Sequence, residues 1–286
     1  MDTRLRILAD YACHTGEGPL WHPEENALFW TDIPNGRLYR FDWSTGEPRT
    51  IYEGRPVGGM TLEEDGSLLL FRDGGNVVRW WNGLERVVIE EVPDDSQTRF
   101  NDVIADPEGR VFCGTMSSQD RPGRLFRLDP DRTLHLVLEG LGTPNGMGFS
   151  PDLSQMFFTD SGARTIYRFD YHRPSGRLSH QIPFLQVEPG VGSPDGMTVD
   201  AEGCVWSAFW DGSRVARYSG EGQEVERVTL PVKKVSCPIF GGPGYATLFL
   251  TTAGGHQKEL DGEHAGALFA FEPGVVGRPE FRSRIE

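Results

Sequence analysis

The chain has 286 residues, of which 36 are glycine and 20 proline, and only 37% are hydrophobic. This composition excludes a helical bundle, because glycine and proline break helices, and no run of about 20 apolar residues could span a membrane. With 42 acidic against 28 basic residues the net charge is −14, which argues against a nucleic-acid partner, since phosphate binding needs a basic surface.

The start, Met1-Asp2-Thr3-Arg4-Leu5-Arg6, lacks the apolar stretch of a secretory signal. Cys13, Cys113, Cys204 and Cys237 lie far apart and form no C-x-x-C pair. Neither a zinc finger nor a disulfide framework is expected, and free thiols in a cytoplasmic protein are the simplest expectation.

From Gly18 onward one grammar recurs: a short apolar strand, a D-x-x-G-like turn, a β-rich strand, a polar loop and a further strand. The first copy runs from Gly18-Pro19-Leu20-Trp21 through Leu28-Phe29-Trp30 to Leu38-Tyr39-Arg40-Phe41. The second runs from Gly59-Met60-Thr61-Leu62 through Asp65-Gly66 to Val77-Val78-Arg79-Trp80. The third starts at Asn101-Asp102-Val103-Ile104 and reaches Leu125-Phe126-Arg127-Leu128. The fourth starts at Pro144-Asn145-Gly146-Met147 and the fifth at Pro194-Asp195-Gly196-Met197. The last starts near Ile239-Phe240-Gly241-Gly242 and ends at Ala267-Leu268-Phe269-Ala270-Phe271. Six copies of roughly 40–50 residues, each with room for four strands, predict an all-β, six-bladed β-propeller that forms a single domain over residues 1–286. Either the N-terminal strand Arg4–Leu8 or the tail Glu280–Ile285 completes the last blade; the sequence leaves both open.

In a propeller the first strand of each blade lines the central channel, so equivalent positions at its start form a ring. Registered on the end of that strand, the ring is Glu17, Gly58, Asn101, Asn145, Asp195 and Cys237. Pro-Asn-Gly-Met and Pro-Asp-Gly-Met are ordinary turn sequences when taken alone. Four oxygen-bearing side chains converging in one place need partners. Carboxylates with amide oxygens form a hard-oxygen set. It suits one divalent metal ion, with Ca2+ favoured and Zn2+, Mg2+, Mn2+ and Fe2+ as further candidates.

At these residues the chain resembles the regucalcin–gluconolactonase family of six-bladed propellers, over essentially its whole length. The matching segments are Gly16-Glu17-Gly18-Pro19-Leu20-Trp21, Arg99-Phe100-Asn101-Asp102, Gly114-Thr115-Met116, Asn145-Gly146, Pro194-Asp195-Gly196-Met197 and Phe240-Gly241-Gly242. The resemblance implies a metal-dependent hydrolase that opens sugar lactones such as gluconolactone or xylonolactone. It implies metal ligands at Glu17, Asn145 and Asp195, with Asp195 also the general base, and substrate-binding residues at Arg99 and Asn101. In one departure, Gln119, expected as a further substrate-binding residue, stands where some family members carry a substrate-contacting glutamate, and the loop 117–123 is shorter here. A sugar lactone is the expected partner, without nucleic acid or membrane, for a monomer or weak homodimer.

Two other functions use the same ring: hydrolysis of a phosphotriester or other ester, and calcium binding without catalysis. No G-x-S-x-G elbow, H-E-x-x-H, G-x-x-x-x-G-K or G-x-G-x-x-G motif is present. His22, His135, His172, His180, His256 and His264 follow no ligand spacing and are expected at the surface or in loops, with His264 a candidate to overhang the channel mouth. Cys237 is expected to be a buried structural thiol. Trp80, Trp81, Trp206 and Trp210 are expected to pack between blades, with Trp210 also a candidate for the mouth.

Overall fold

In the computed structural model, which describes residues 2–92 and 95–286, each of the first five sequence copies folds into a four-stranded antiparallel sheet, the sixth does so with one strand from the N-terminus, and the six sheets form a β-propeller. The first blade shows the pattern, running outward as Gly16–His22, Ala27–Asp32, Arg37–Asp42 and Glu47–Glu53. Burial falls along that order. Ala27–Asp32 is buried throughout, whereas Glu47–Glu53 is mostly exposed. The inner strands carry apolar residues on both faces because both faces are covered by neighbouring blades. The outermost strands are largely exposed, because neighbouring blades cover them less.

The blades are joined by side chains that interdigitate across each seam. Leu20 and Phe29 of the first blade share a buried cluster with Met60 and Leu70 of the second. Trp206 and Val215 of the fifth share another with Phe240 and Phe269 of the sixth. At about 25 cal/mol per Å2 of apolar surface removed from water, burial at such seams stabilises the ring of blades.

The sixth blade settles which terminus closes the ring. Its strands run Lys234–Gly241, Thr247–Ala253 and Leu268–Phe271, and Arg6–Ala9 pairs antiparallel with Leu268–Phe271 as the outermost strand. The C-terminal tail does something else. It crosses one end of the channel, bonding to the first four blades, the first of them through Arg282 and Glu24. Arg278 Nη2 donates to Phe149 O at 2.7 Å, Ser283 N donates to Leu62 O at 2.9 Å, and Arg284 N donates to Gly109 O at 2.9 Å. Ile285 is buried at its end.

The innermost strands are Gly16–His22, Val57–Leu62, Phe100–Ala105, Pro144–Phe149, Ser193–Val199 and Lys234–Gly241. All six ring positions lie on them. Each of these strands bulges against its neighbour at or beside the ring position, for example between Pro144 and Met147 and between Pro194 and Met197. A bulge re-aims the side chain it carries, so the ring residues leave the strand's regular alternation.

Gly146 and Gly196, which follow Asn145 and Asp195, lie inside strands rather than in turns. A Cβ on Gly146 would stand 2.4 Å from Met197 N, and one on Gly196 would stand 2.4 Å from Cys237 Sγ. The Asn-Gly and Asp-Gly pairs therefore exist for close approach of blades, and not for the turn that the dipeptides suggest.

Candidate functional site

At the mouth opposite the C-terminal tail, a cavity of about 380 Å3 opens over the ring. Glu17, Arg99, Asn101, Asn145 and Asp195 all line it, together with Thr15, Met116, Thr143, Ser161, Ser193 and Trp210. The sequence-predicted residues from four blades are thus brought to one place. Gln119 is not among the lining residues. It sits exposed in the loop after Val111–Thr115, and Met116 occupies the wall nearest to it in sequence.

The other two ring positions have structural reasons. A Cβ on Gly58 would stand 1.9 Å from Phe100 O, so only glycine fits there. Cys237 is buried, and burial followed by the nearby carboxylates pushes its thiol well above the usual range. A thiol held protonated is a poor nucleophile.

The two asparagines differ in what they leave free. Asn101 Nδ2 donates to Pro144 O at 2.7 Å, and its Oδ1 accepts from Arg99 Nη1 at 2.7 Å. Both ends of that amide are engaged. Asn145 Nδ2 donates to Ser161 Oγ at 3.0 Å, while its Oδ1 is buried without a hydrogen-bond partner among the described residues. Leaving a buried acceptor unpaired costs about 1–3 kcal/mol. A cation facing Asn145 Oδ1 removes that cost.

Carboxylates reinforce the point. Glu17 and Asp195 are each 4% exposed. Burial, then the charge of Asp195, pushes the Glu17 carboxyl well above the usual carboxylate range. Burial, then Asp102, does the same to Asp195. Asp102 follows Asn101 and lines a smaller cavity of about 60 Å3 further down the channel, with Cys237, Glu280 and Phe281. Burial pushes its carboxyl up to about 7, and Arg99 works against the shift. Three buried carboxylates face one guanidinium, and burial alone weakens the charge of Arg99. The excess negative charge and the free amide oxygen fit a divalent cation held by Glu17, Asn145 and Asp195.

Sequence reasoning missed Asp102, although it adjoins Asn101. Period-two alternation sends neighbours to opposite faces, and the bulge over Phe100–Val103 lets both serve the channel. It also missed Ser161 and Thr143, which nothing in the repeat grammar distinguishes from other loop hydroxyls. Trp206 packs against Phe240 and Phe271 as expected, while Trp210 forms an apolar wall of the cavity. His22 is buried rather than at the surface, and its ring bonds to Gly66 O at 3.2 Å. His264 pairs with Asp10 instead of reaching the cavity lining.

A six-bladed propeller with acidic and amide oxygens gathered over its channel defines a class of propellers whose site lies on the channel axis. The chain belongs to the SMP-30/Gluconolactonase/LRE-like family, whose model matches residues 15–254. It is 47% identical to the pentonolactonase XacC of Haloferax volcanii over 97% of both chains. It is 32% identical to regucalcin of Xenopus laevis over 83% of both chains. Among solved structures, a protein described as the calcium-binding protein regucalcin from Agrobacterium tumefaciens superposes with a TM-score of 0.90 at 25% identity, covering 98% of this chain and 97% of that one. A luciferin-regenerating enzyme also superposes with a TM-score of 0.90, at 24% identity, which supports the fold. All four cysteines are free, and among the described residues no helix is long and apolar enough to cross a membrane.

Proposed function

We propose that this protein is a divalent-metal-dependent lactonase that opens aldonolactones of monosaccharide size to aldonic acids. The observation that carries the reading is the unpartnered Asn145 Oδ1, buried in the same cavity as the Glu17 and Asp195 carboxylates and the Arg99 guanidinium. The pentonolactonase and regucalcin relatives support it. The cavity, about 380 Å3, falls in the lower part of the usual small-ligand range of about 300–1,000 Å3.

In this reading Glu17, Asn145 and Asp195 hold the cation. A divalent cation, when bound, supplies electrostatic stabilisation of the charge that develops on the lactone carbonyl oxygen. Asp195 takes the proton from the attacking water as general base. Arg99 uses Nη1 to bond Phe100 O and Asn101 Oδ1, which fixes its plane and turns the rest of the fork toward the sugar hydroxyls. Asn101 therefore acts first by orienting Arg99, and its Oδ1 keeps a second lone pair for substrate. Met116 and Trp210 provide the apolar wall for the C–H face of the ring.

The test is acid release from a panel of pentono- and hexonolactones, before and after chelation, with Asp195→Ala beside the wild type. Acid release should need the metal, and D195A should lose about 10²–10⁴-fold in rate. Metal binding without turnover would instead indicate a calcium-binding propeller. Turnover that survives chelation would overturn the role of the cation.

A further inference from the structure

Four of the six seams between blades carry the same bond. In each, a side chain of one blade donates to the carbonyl just before the ring residue of the next. Ser236 Oγ donates to Gly16 O at 2.6 Å, before Glu17. Thr31 Oγ1 donates to Val57 O at 3.0 Å, before Gly58. Asn101 Nδ2 donates to Pro144 O at 2.7 Å, before Asn145. Ser161 Oγ donates to Pro194 O at 2.6 Å, before Asp195. All three strands that carry a metal ligand in the proposed site are held this way.

Ser161 makes one contact that the other donors do not. It also meets the side chain of a ligand, Asn145. Counting protons fixes the direction of that contact. A carbonyl oxygen only accepts, so the single Ser161 hydroxyl proton belongs to Pro194 O. The Ser161 oxygen then has only lone pairs left and must receive a hydrogen bond. Asn145 must turn its NH2 toward Ser161, and its Oδ1 is thereby directed away from it, into the buried position where it has no partner. The serine backbone is itself anchored, since Ser161 N donates to Thr143 O at 3.0 Å.

We propose that Ser161 is a positioning residue that sets the amide orientation of Asn145, so that an oxygen and not an NH2 faces the cation. The same hydroxyl ties Asn145 of the fourth blade to the strand that carries Asp195 of the fifth. The inference rests on the metal site proposed above. Without Ser161 the Asn145 NH2 keeps only the Asp195 carboxylate as acceptor, the amide is held less firmly, and an NH2 that turns to face a cation opposes binding. Outer partners of this kind typically change metal affinity by about 10–100-fold.

The experiment compares wild type, Ser161→Ala and Ser161→Thr, each freed of metal by chelation, with calorimetric titration of Ca2+, Mn2+ and Zn2+. S161A should bind the cation that wild type prefers about tenfold or more weakly. S161T, which keeps the hydroxyl, should restore most of the loss, and the chelated forms should melt close together. Should S161A fail to fold, Ser161→Cys keeps the volume with a weak hydrogen-bonding group and reads the same affinity. Equal affinity in wild type and the variant lacking the hydroxyl overturns the positioning role while leaving the metal site standing. A wild type that binds none of the three cations overturns the metal reading and this one with it.

Discussion

Asn101 and Asn145 occupy equivalent places in successive blades and do different work. Their equivalence was legible from the repeat. Their difference was not, because it depends on which donors and acceptors the neighbouring blades present. Arg99 and Pro144 O engage both ends of one amide, and Ser161 engages a single end of the other. The carboxylates around them carry a testable consequence. The Asp102 carboxyl rises from an ordinary 3.8 to about 7 in the fold. Between those values the unfolded chain releases the proton that the folded chain still holds. Stability of the chelated protein must therefore fall across that window as pH rises, with Glu17 and Asp195 acting in the same sense. Asp102→Asn removes one titrating group, so its advantage in melting temperature over wild type should grow between about pH 4 and 7. Saturating divalent cation should shrink that advantage. A chelated wild type that gains on D102N as pH rises would refute the assignment.

At the scale of the strand, most of the ring was readable because β-structure repeats with a period of two and the blades repeat with nearly constant length. What escaped was the bulge. In the fourth and fifth blades it appears in the sequence as Pro-Asn-Gly or Pro-Asp-Gly, which also spells a turn, and the choice between them is made by an adjacent blade. Gly58 shows how strict that neighbour is. Its Cβ would stand 1.9 Å from Phe100 O and 2.5 Å from Phe100 C. Both are main-chain atoms of the strand that delivers Asn101, so they cannot rotate away as a side chain would. Gly58→Ala should cost about 1–3 kcal/mol, as overpacking does, and lower the melting temperature by roughly 2–10 °C. Because the push is transmitted to Phe100 and Asn101, KM for the lactone should rise as well. An alanine variant with wild-type melting and kinetics would show that the seam is softer than its geometry.

At the scale of the whole molecule, the two termini have different tasks, and the sequence offered both as candidates for one. The N-terminal strand supplies hydrogen bonds to a sheet edge, which any chain segment with β-character can do; the deciding fact is that Arg6–Ala9 lies beside Leu268–Phe271. The tail lacks a regular strand and is fixed by scattered bonds to several blades, densest where Ser283 meets the second blade, with Ser283 and Ile285 themselves buried. It stands between solvent and the lower cavity, where Glu280 and Phe281 face Cys237 and Asp102. Truncation after Gly277 should therefore leave the six sheets intact, since no strand is lost, while opening the channel from below. Cys237 reports on this directly. In the intact chain its thiol is buried and held protonated, so a maleimide should label it slowly in the native protein and readily after denaturation. The truncated chain should label at Cys237 faster under native conditions, as read by mass spectrometry of the peptide, with Cys13 unchanged because it is buried between the first and sixth blades in a cluster that holds no tail residue. Equal acceleration at both thiols would mean that the tail holds the blades together, and unchanged labelling at Cys237 would mean that the channel stays shut without it.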